Sequence, residues 1–233
     1  IVAALVGVNL ALAGAILQGV MKNPLADPGI IGISSGAGLA GILILILFPH
    51  QQHLVPPFAF LGAVAAAVMI YILAWKKGIQ PIRIILAGVA VSAFLGSGIS
   101  GLMVFFSDRV HGALMFMTGG LSARSWPQVE LLLPYSVFGA GTAVVLSQKL
   151  NVLLLGDDAA RGVGLNVETT RLFFPALACL LAASAVSVVG LLGFVGLIVP
   201  HSARMLVGSD YKYLLPASAL LGAGVVIFSD IFA

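Results

Sequence analysis

The sequence predicts an all-α, polytopic membrane protein with about eight transmembrane helices. Of its 233 residues, 61% are hydrophobic and only 8% are charged, against roughly 45–50% and 25% in a soluble globular domain. Mean hydropathy is +1.16. The charges also punctuate apolar stretches whose lengths match the roughly 20 residues needed to cross a hydrocarbon core of about 30 Å. So few charges cannot cover a water-soluble fold of this size. That excludes an ordinary soluble enzyme, a disordered chain and a nucleic-acid-binding module. The net charge of +3 rests on 11 Lys and Arg, too few for a polyanion-binding face. One cysteine, Cys179, lies in an apolar run and leaves no internal disulfide possible.

The elements follow in order. Residues 1–21 carry no charge and form the first span. The next charge-free stretch is too long for one helix and breaks at Pro49-His50-Gln51-Gln52-His53, giving spans over 32–48 and 57–75. The fourth span is 84–107 and the fifth 131–148. Gly190, Gly193, Gly196 and Pro200 interrupt a long apolar run, which divides into a full span over 168–189 and a shorter helix over 193–206. The last span is 213–229. The chain is expected to be a single transmembrane domain, 1–233. Ile1 opens inside an apolar run without the basic region of a signal peptide, so a piece of a longer chain is expected.

With eight crossings the connections alternate sides. Nine of the eleven Lys and Arg (Lys22, Lys76, Lys77, Arg83, Lys149, Arg161, Arg171, Arg204 and Lys212) fall on one side, and only Arg109 and Arg124 on the other. The positive-inside rule makes the first side cytoplasmic. Lys76 and Lys77 read as headgroup anchors at a helix end.

Two connections are informative. In the first, Asn23-Pro24 and Asp27-Pro28-Gly29 force the backbone out of the α region twice within six residues. The result is a rigid, non-helical crossover, followed by Gly32, Gly36 and Ala40 at a spacing suited to close helix packing. The second, Leu155-Gly156-Asp157-Asp158-Ala159-Ala160-Arg161-Gly162-Val163-Gly164, is short and polar. Asp157 and Asp158 suit the N-cap and first turn of a short helix, which Gly162 and Gly164 end. On that reading Asp157→Asn is nearly silent, because both residues cap well.

These segments are recognisable. Gly-Ala-x-x-Gln-Gly-x-x-x-Asn-Pro-Leu-Ala-Asp-Pro-Gly-x-x-Gly-x-Ser-x-Gly-Ala, from Gly14 onward, resembles the signature of FecCD-type permeases, the membrane subunits of ATP-binding-cassette importers for iron–siderophore complexes, haem and vitamin B12. Met117-Thr118-Gly119-Gly120, the Gly156–Gly164 segment and Gly193-Phe194-Val195-Gly196-Leu197-Ile198-Val199-Pro200-His201 follow in family order.

The resemblance implies a ten-helix fold with one helix missing at each end, in the cell membrane. It implies a cytoplasmic ATP-binding subunit, an extracytoplasmic substrate-binding protein, a second permease subunit and an iron(III)–siderophore substrate, with vitamin B12 or haem as the alternative cargo. No enzyme activity and no cofactor are expected. Gly156, Asp157, Asp158, Ala159, Arg161 and Gly164 would belong to a coupling helix docked in a cleft of the ATPase, with Arg161 making the charged contact. Gln80, Pro81 and Ile82 would lie at the cytoplasmic gate. Met115, Met117, Gly119 and Gly120 would line the outer mouth of the pathway, where Met supplies an adaptable wall.

Other signals are declined. Gly96-Ser97-Gly98-Ile99-Ser100-Gly101 matches a dinucleotide fingerprint, but it lies mid-membrane after no strand and reads as packing or a smooth pathway wall. His50 and His53 have no Cys, Asp or Glu beside them, so no metal site is expected; His201 reads as structural. Asp230, near a helix end, is placed at the outer interface. A secondary transporter driven by ion gradients is the competing class, but spans one to five carry no charge in their interiors.

Overall fold

The computed structural model describes residues 1–29, 31–75, 80–122 and 124–232. Among them run eleven α-helices and no strand: α1 (Val2–Val20), α2 (Ile33–Leu47), α3 (Val55–Ala74), α4 (Pro81–Phe105), α5 (Val110–Thr118), α6 (Trp126–Val145), α7 (Ser147–Leu154), α8 (Asp157–Gly162), α9 (Val167–Val189), α10 (Val195–Val207) and α11 (Tyr211–Ile231). The eight expected spans correspond to helices α1, α2, α3, α4, α6, α9, α10 and α11. Six are long and apolar enough to span a bilayer, whereas α2 and α10 have only 15 and 13 residues. The lysine pair Lys76 and Lys77 lies outside the described residues.

Local chemistry sets the helix ends. Pro81 opens α4 behind an extended Gln80, where a proline has no intrahelical bond to lose. The α6 start lies five residues before the expected boundary, at Trp126. There Ser125 and Gln128 form a capping box, with the Ser125 backbone N–H donating to Gln128 Oε1 at 2.9 Å. Asn166 caps α9 through the Thr169 N–H, and Asp210 caps α11 through the Lys212 N–H.

The bundle is built around α1. Sixteen of its nineteen residues are buried, as are seventeen of twenty-three in α9, but only four of twenty-five in α4. Glycines let α1 touch its neighbours backbone to backbone: Gly7 lies against Gly222 of α11, and Gly14 against Gly196 of α10. Gly36 of α2 meets Gly62 of α3 in the same way, with Ala40 and Ala66 beside them. Gly96 and Gly101 have nothing near them in this chain. Those two small residues of α4 therefore pack against none of the described residues.

The crossover between α1 and α2 departs from a surface connection. It opens with Lys22 in the left-handed region (φ 48°), and Asn23 N–H donates to Gln18 C=O at 3.1 Å, closing α1. Asn23 and Asp27 each accept from the N–H two residues on, at 2.9 and 2.7 Å, which is how Asn and Asp hold tight turns. The segment then folds back into the bundle. Asp27 and Pro28 lie against Gly196, which itself touches Gly14 in the C-terminal half of α1. Irregular backbone is tolerated at membrane depth only where protein covers it.

A methyl at Gly7 would run into the Gly222 carbonyl, whereas one at Gly96 would meet nothing. Gly7→Ala should lose about 1–3 kcal/mol through overpacking. Gly96→Ala should be neutral or slightly stabilising, since Ala is the better helix former. Thermal denaturation of the two variants in detergent, at equal expression, checks the contrast.

Candidate coupling and pathway sites

The connection from α6 to α9 is held at two points. Gly156 adopts φ 107° and precedes α8, a turn that a side chain would strain. Asp157 is the first helical residue, and Gly156 occupies the cap position expected for an acid. The Asp157 carboxylate turns instead to the Arg171 guanidinium at the start of α9, through two parallel hydrogen bonds of 2.8 Å each. The Arg171 side chain is only 10% exposed and that of Asp157 35%, so the pair is partly withdrawn from water. The capping expectation for Asp157 is corrected: its negative charge balances a buried cation of the next helix.

The rest of α8 faces outward. Asp158, Ala159 and Arg161 are exposed and Ala160 is buried. Gly164 (φ 85°) closes the helix, with Leu165 N–H donating to Ala160 C=O and Gly164 N–H to Arg161 C=O, both at 2.9 Å. Beside it, Arg161, Gly164, Asn166 and Glu168 line a cleft of about 330 Å³.

The second point of attachment is Asn151 of α7. Its Nδ2 donates to Asp210 Oδ1 at 2.7 Å and its Oδ1 accepts from the Tyr211 backbone N–H at 2.9 Å. The Lys212 N–H and the Asn151 amide together hold the Asp210 carboxyl below its usual range. Tyr211 is buried and donates from its hydroxyl to Ala15 C=O of α1 at 3.2 Å. The space its ring needs exists because residue 19 is glycine.

A third polar tie joins α1 to α10. Pro200 has no N–H, so the Gly196 carbonyl loses its intrahelical donor. Gln18 Nε2 donates to the Gly196 and Leu197 carbonyls at 3.4 and 3.2 Å, and its Oε1 accepts from Arg204 at 3.1 Å. Deeper in the bundle, Asn9 donates to Ser184 of α9 at 3.1 Å. Sequence reasoning met Gln18 only as part of the signature and passed over Asn9, although a polar amide inside an apolar span is a signal in itself.

The remaining candidates are dispersed. Gln80 and Ile82 are exposed at the start of α4. At the opposite end, Gly120 N–H donates to Val189 C=O (2.8 Å) and Leu191 N–H to Phe116 C=O (3.0 Å), pinning α5 to the end of α9. Met115, Gly119 and Gly120 line a cavity of about 600 Å³ there. Met117 is exposed and is not among its lining residues. Among the described residues no group of three potential metal ligands occurs.

Comparison with known proteins gives this geometry its context. The FecCD transport family model matches residues 1–233. The chain is 45% identical to the Fe(3+)-citrate import system permease protein YfmE of Bacillus subtilis, over 99% of this chain and 69% of that protein. It is 37% identical to the iron(3+)-hydroxamate import permease FhuG of the same organism, covering 72% of it, and 40% identical to the cobalamin import permease BtuC of Halobacterium salinarum, covering 63%. A transporter assigned to the metal-chelate type, solved in an inward-facing conformation, superposes with a TM-score of 0.93 at 28% identity over 98% of this chain and 74% of its own. With the family model spanning every residue, the chain belongs to the FecCD transport family and is the membrane-spanning permease subunit of an ABC importer, whose ATP hydrolysis lies in a separate subunit.

Proposed function

We propose that the permease carries an iron(III)–siderophore complex across the cytoplasmic membrane, with the basic end of the bundle inside. A permease of this family works with an ATP-binding partner, a substrate-binding partner and a second permease. The observation that carries the mechanism is the outward face of α8. Asp157 is spent on Arg171, which fixes α8 to α9 and leaves Arg161, Asp158 and Ala159 free to meet another subunit. A short helix presented in this way suits a groove on an ATPase. Movement imposed on α8 passes to α9 through the ion pair and, along the adjoining α7, to α11 through Asn151.

Gln80, Pro81 and Ile82 form the inner gate on this reading, and the bared face of α4 meets the second permease. The crossover built on Asn23, Pro24, Asp27, Pro28 and Gly29 braces the pathway. Support for the cargo comes from the relatives, whose names specify ferric citrate and ferric hydroxamate import.

Orientation is tested with single cysteines in a Cys179→Ser background and a membrane-impermeant maleimide on intact cells. Cysteines at positions 53 and 109 should label, and those at 22, 161 and 212 should not. Labelling at 161 but not at 53 would invert the assignment.

The two charged groups of α8 separate by assay. Arg161→Glu should abolish chelate uptake and release the ATPase while thermal stability is unchanged. Asp157→Asn should instead lower stability by about 1–3 kcal/mol, because it removes the countercharge and one of two carboxylate acceptors from a buried guanidinium, and the Asp157→Arg/Arg171→Asp exchange should recover part of that loss. Uptake and ATPase co-purification at matched membrane levels, with melting curves in detergent, distinguish the outcomes. Full activity in Arg161→Glu defeats the coupling assignment.

A further inference from the structure

The end of the bundle opposite the basic one has two arginines, and they differ. Arg109 contacts Asp108 at 3.5 Å and donates to Ile46 C=O at 3.1 Å. The Arg124 side chain makes no hydrogen bond or ion pair with any described residue. It borders the 600 Å³ cavity beneath α5, a volume within the range of roughly 300–1,000 Å³ typical of small-ligand sites. Partial desolvation by the surrounding protein draws its pKa below the ordinary arginine value. On its other side Arg124 shares a second hollow with Asp230, with which it makes no ion pair.

The other polar lining is of one kind. Gln52, His53, Ser122, Gln128 and Ser187 contribute, and among the described residues no Asp or Glu lines the cavity. Gln128 Oε1 already accepts from the Ser125 N–H (2.9 Å) and hydroxyl (3.2 Å), so its amide N–H₂ is the group left to offer. Ser187 sits at the buried end of α9. A concave, acid-free site with a guanidinium and spare amide donors fits a solute rich in anionic oxygens, and above all carboxylates, which a guanidinium can hold with two parallel bonds. A concavity of this size favours a small ligand over a protein surface.

We infer that Arg124 and Gln128 form an outer entry subsite for the carboxylate groups of an anionic metal chelate. The inference rests on the ferric-chelate import reading and narrows it. Arg124 supplies charge that draws the anion from the binding protein, and α5 with Met115 and Phe116 forms the wall over it.

The test uses the complete transporter, with full-length permease subunits, ATPase and binding protein, in proteoliposomes. Two probes are compared, radiolabelled ferric citrate and a charge-neutral ferric trihydroxamate. Arg124→Gln should raise the half-saturating concentration for ferric citrate about tenfold or more, the scale of a lost charge-assisted contact. The maximal rate and the neutral chelate should be unaffected. Arg124→Lys should fall between, keeping charge but losing the paired geometry. Stimulation of the ATPase by empty binding protein should be unchanged in both variants.

Equal losses for both chelates, or loss of stimulation by the binding protein, would assign Arg124 to protein docking and overturn the subsite. So would unaltered ferric citrate uptake in Arg124→Gln, or a wild-type transporter that carries only the neutral chelate. If Arg124→Gln does not assemble, Arg124→Lys decides by the same criteria. A wild type that imports neither chelate refutes the import reading, and the subsite with it.

Discussion

The bundle depends on how closely other backbones can approach α1. In a bilayer the lipid tails are as apolar as the side chains, so burying leucine against leucine does little to join helices. What remains is van der Waals contact and satisfied polarity. Gly7 and Gly14 give α1 two points where a neighbouring main chain lies against its own, on α11 and on α10. Once α10 is seated at Gly14, Gln18 can reach the Gly196 carbonyl that Pro200 leaves open, and the Leu197 carbonyl beside it. Once α11 is seated at Gly7, Tyr211 can reach Ala15 and present its N–H to Asn151. The attachment of the α7–α8 connection thus traces back to two glycines in α1.

The polar ties at the basic end divide the work. Asp157–Arg171 fixes α8 to α9, and Asn151–Asp210 fixes α7 to α11. Both anchored helices pack against α1. A force on the connection is therefore shared between two membrane helices with a common neighbour. By contrast α4, with most of its surface uncovered, belongs to a boundary with lipid or another subunit.

Much of this was legible in the sequence. Spans followed from charge-free length, and the stops followed from Gly, Pro and Asn. The errors have physical causes. Asp157 looked like a cap because only its local neighbours were considered, while its partner Arg171 lies fourteen residues on, across a helix break where no periodicity applies. The crossover was legible as two turns, but its depth depends on Gly196, a contact no local rule reveals. Gln18 was visible as an amide in an apolar run, yet its role required knowing that Pro200 would lie beside it. Arg124 entered the sequence reading only as a count against the charge bias. That its side chain pairs with none of the described residues is a tertiary fact.

The buried crossover also constrains biogenesis. Asp27 comes to rest beside Gly196, which emerges from the ribosome 169 residues after it (27 to 196). A carboxylate drawn below the headgroups with no protein around it is costly, so α1 and α2 cannot hold their final depth before α10 is made. The hairpin they form must wait near the headgroups, with its polar tip wet, until α10 arrives to cover it. Two helices made before α10 thus reach their final depth only after it.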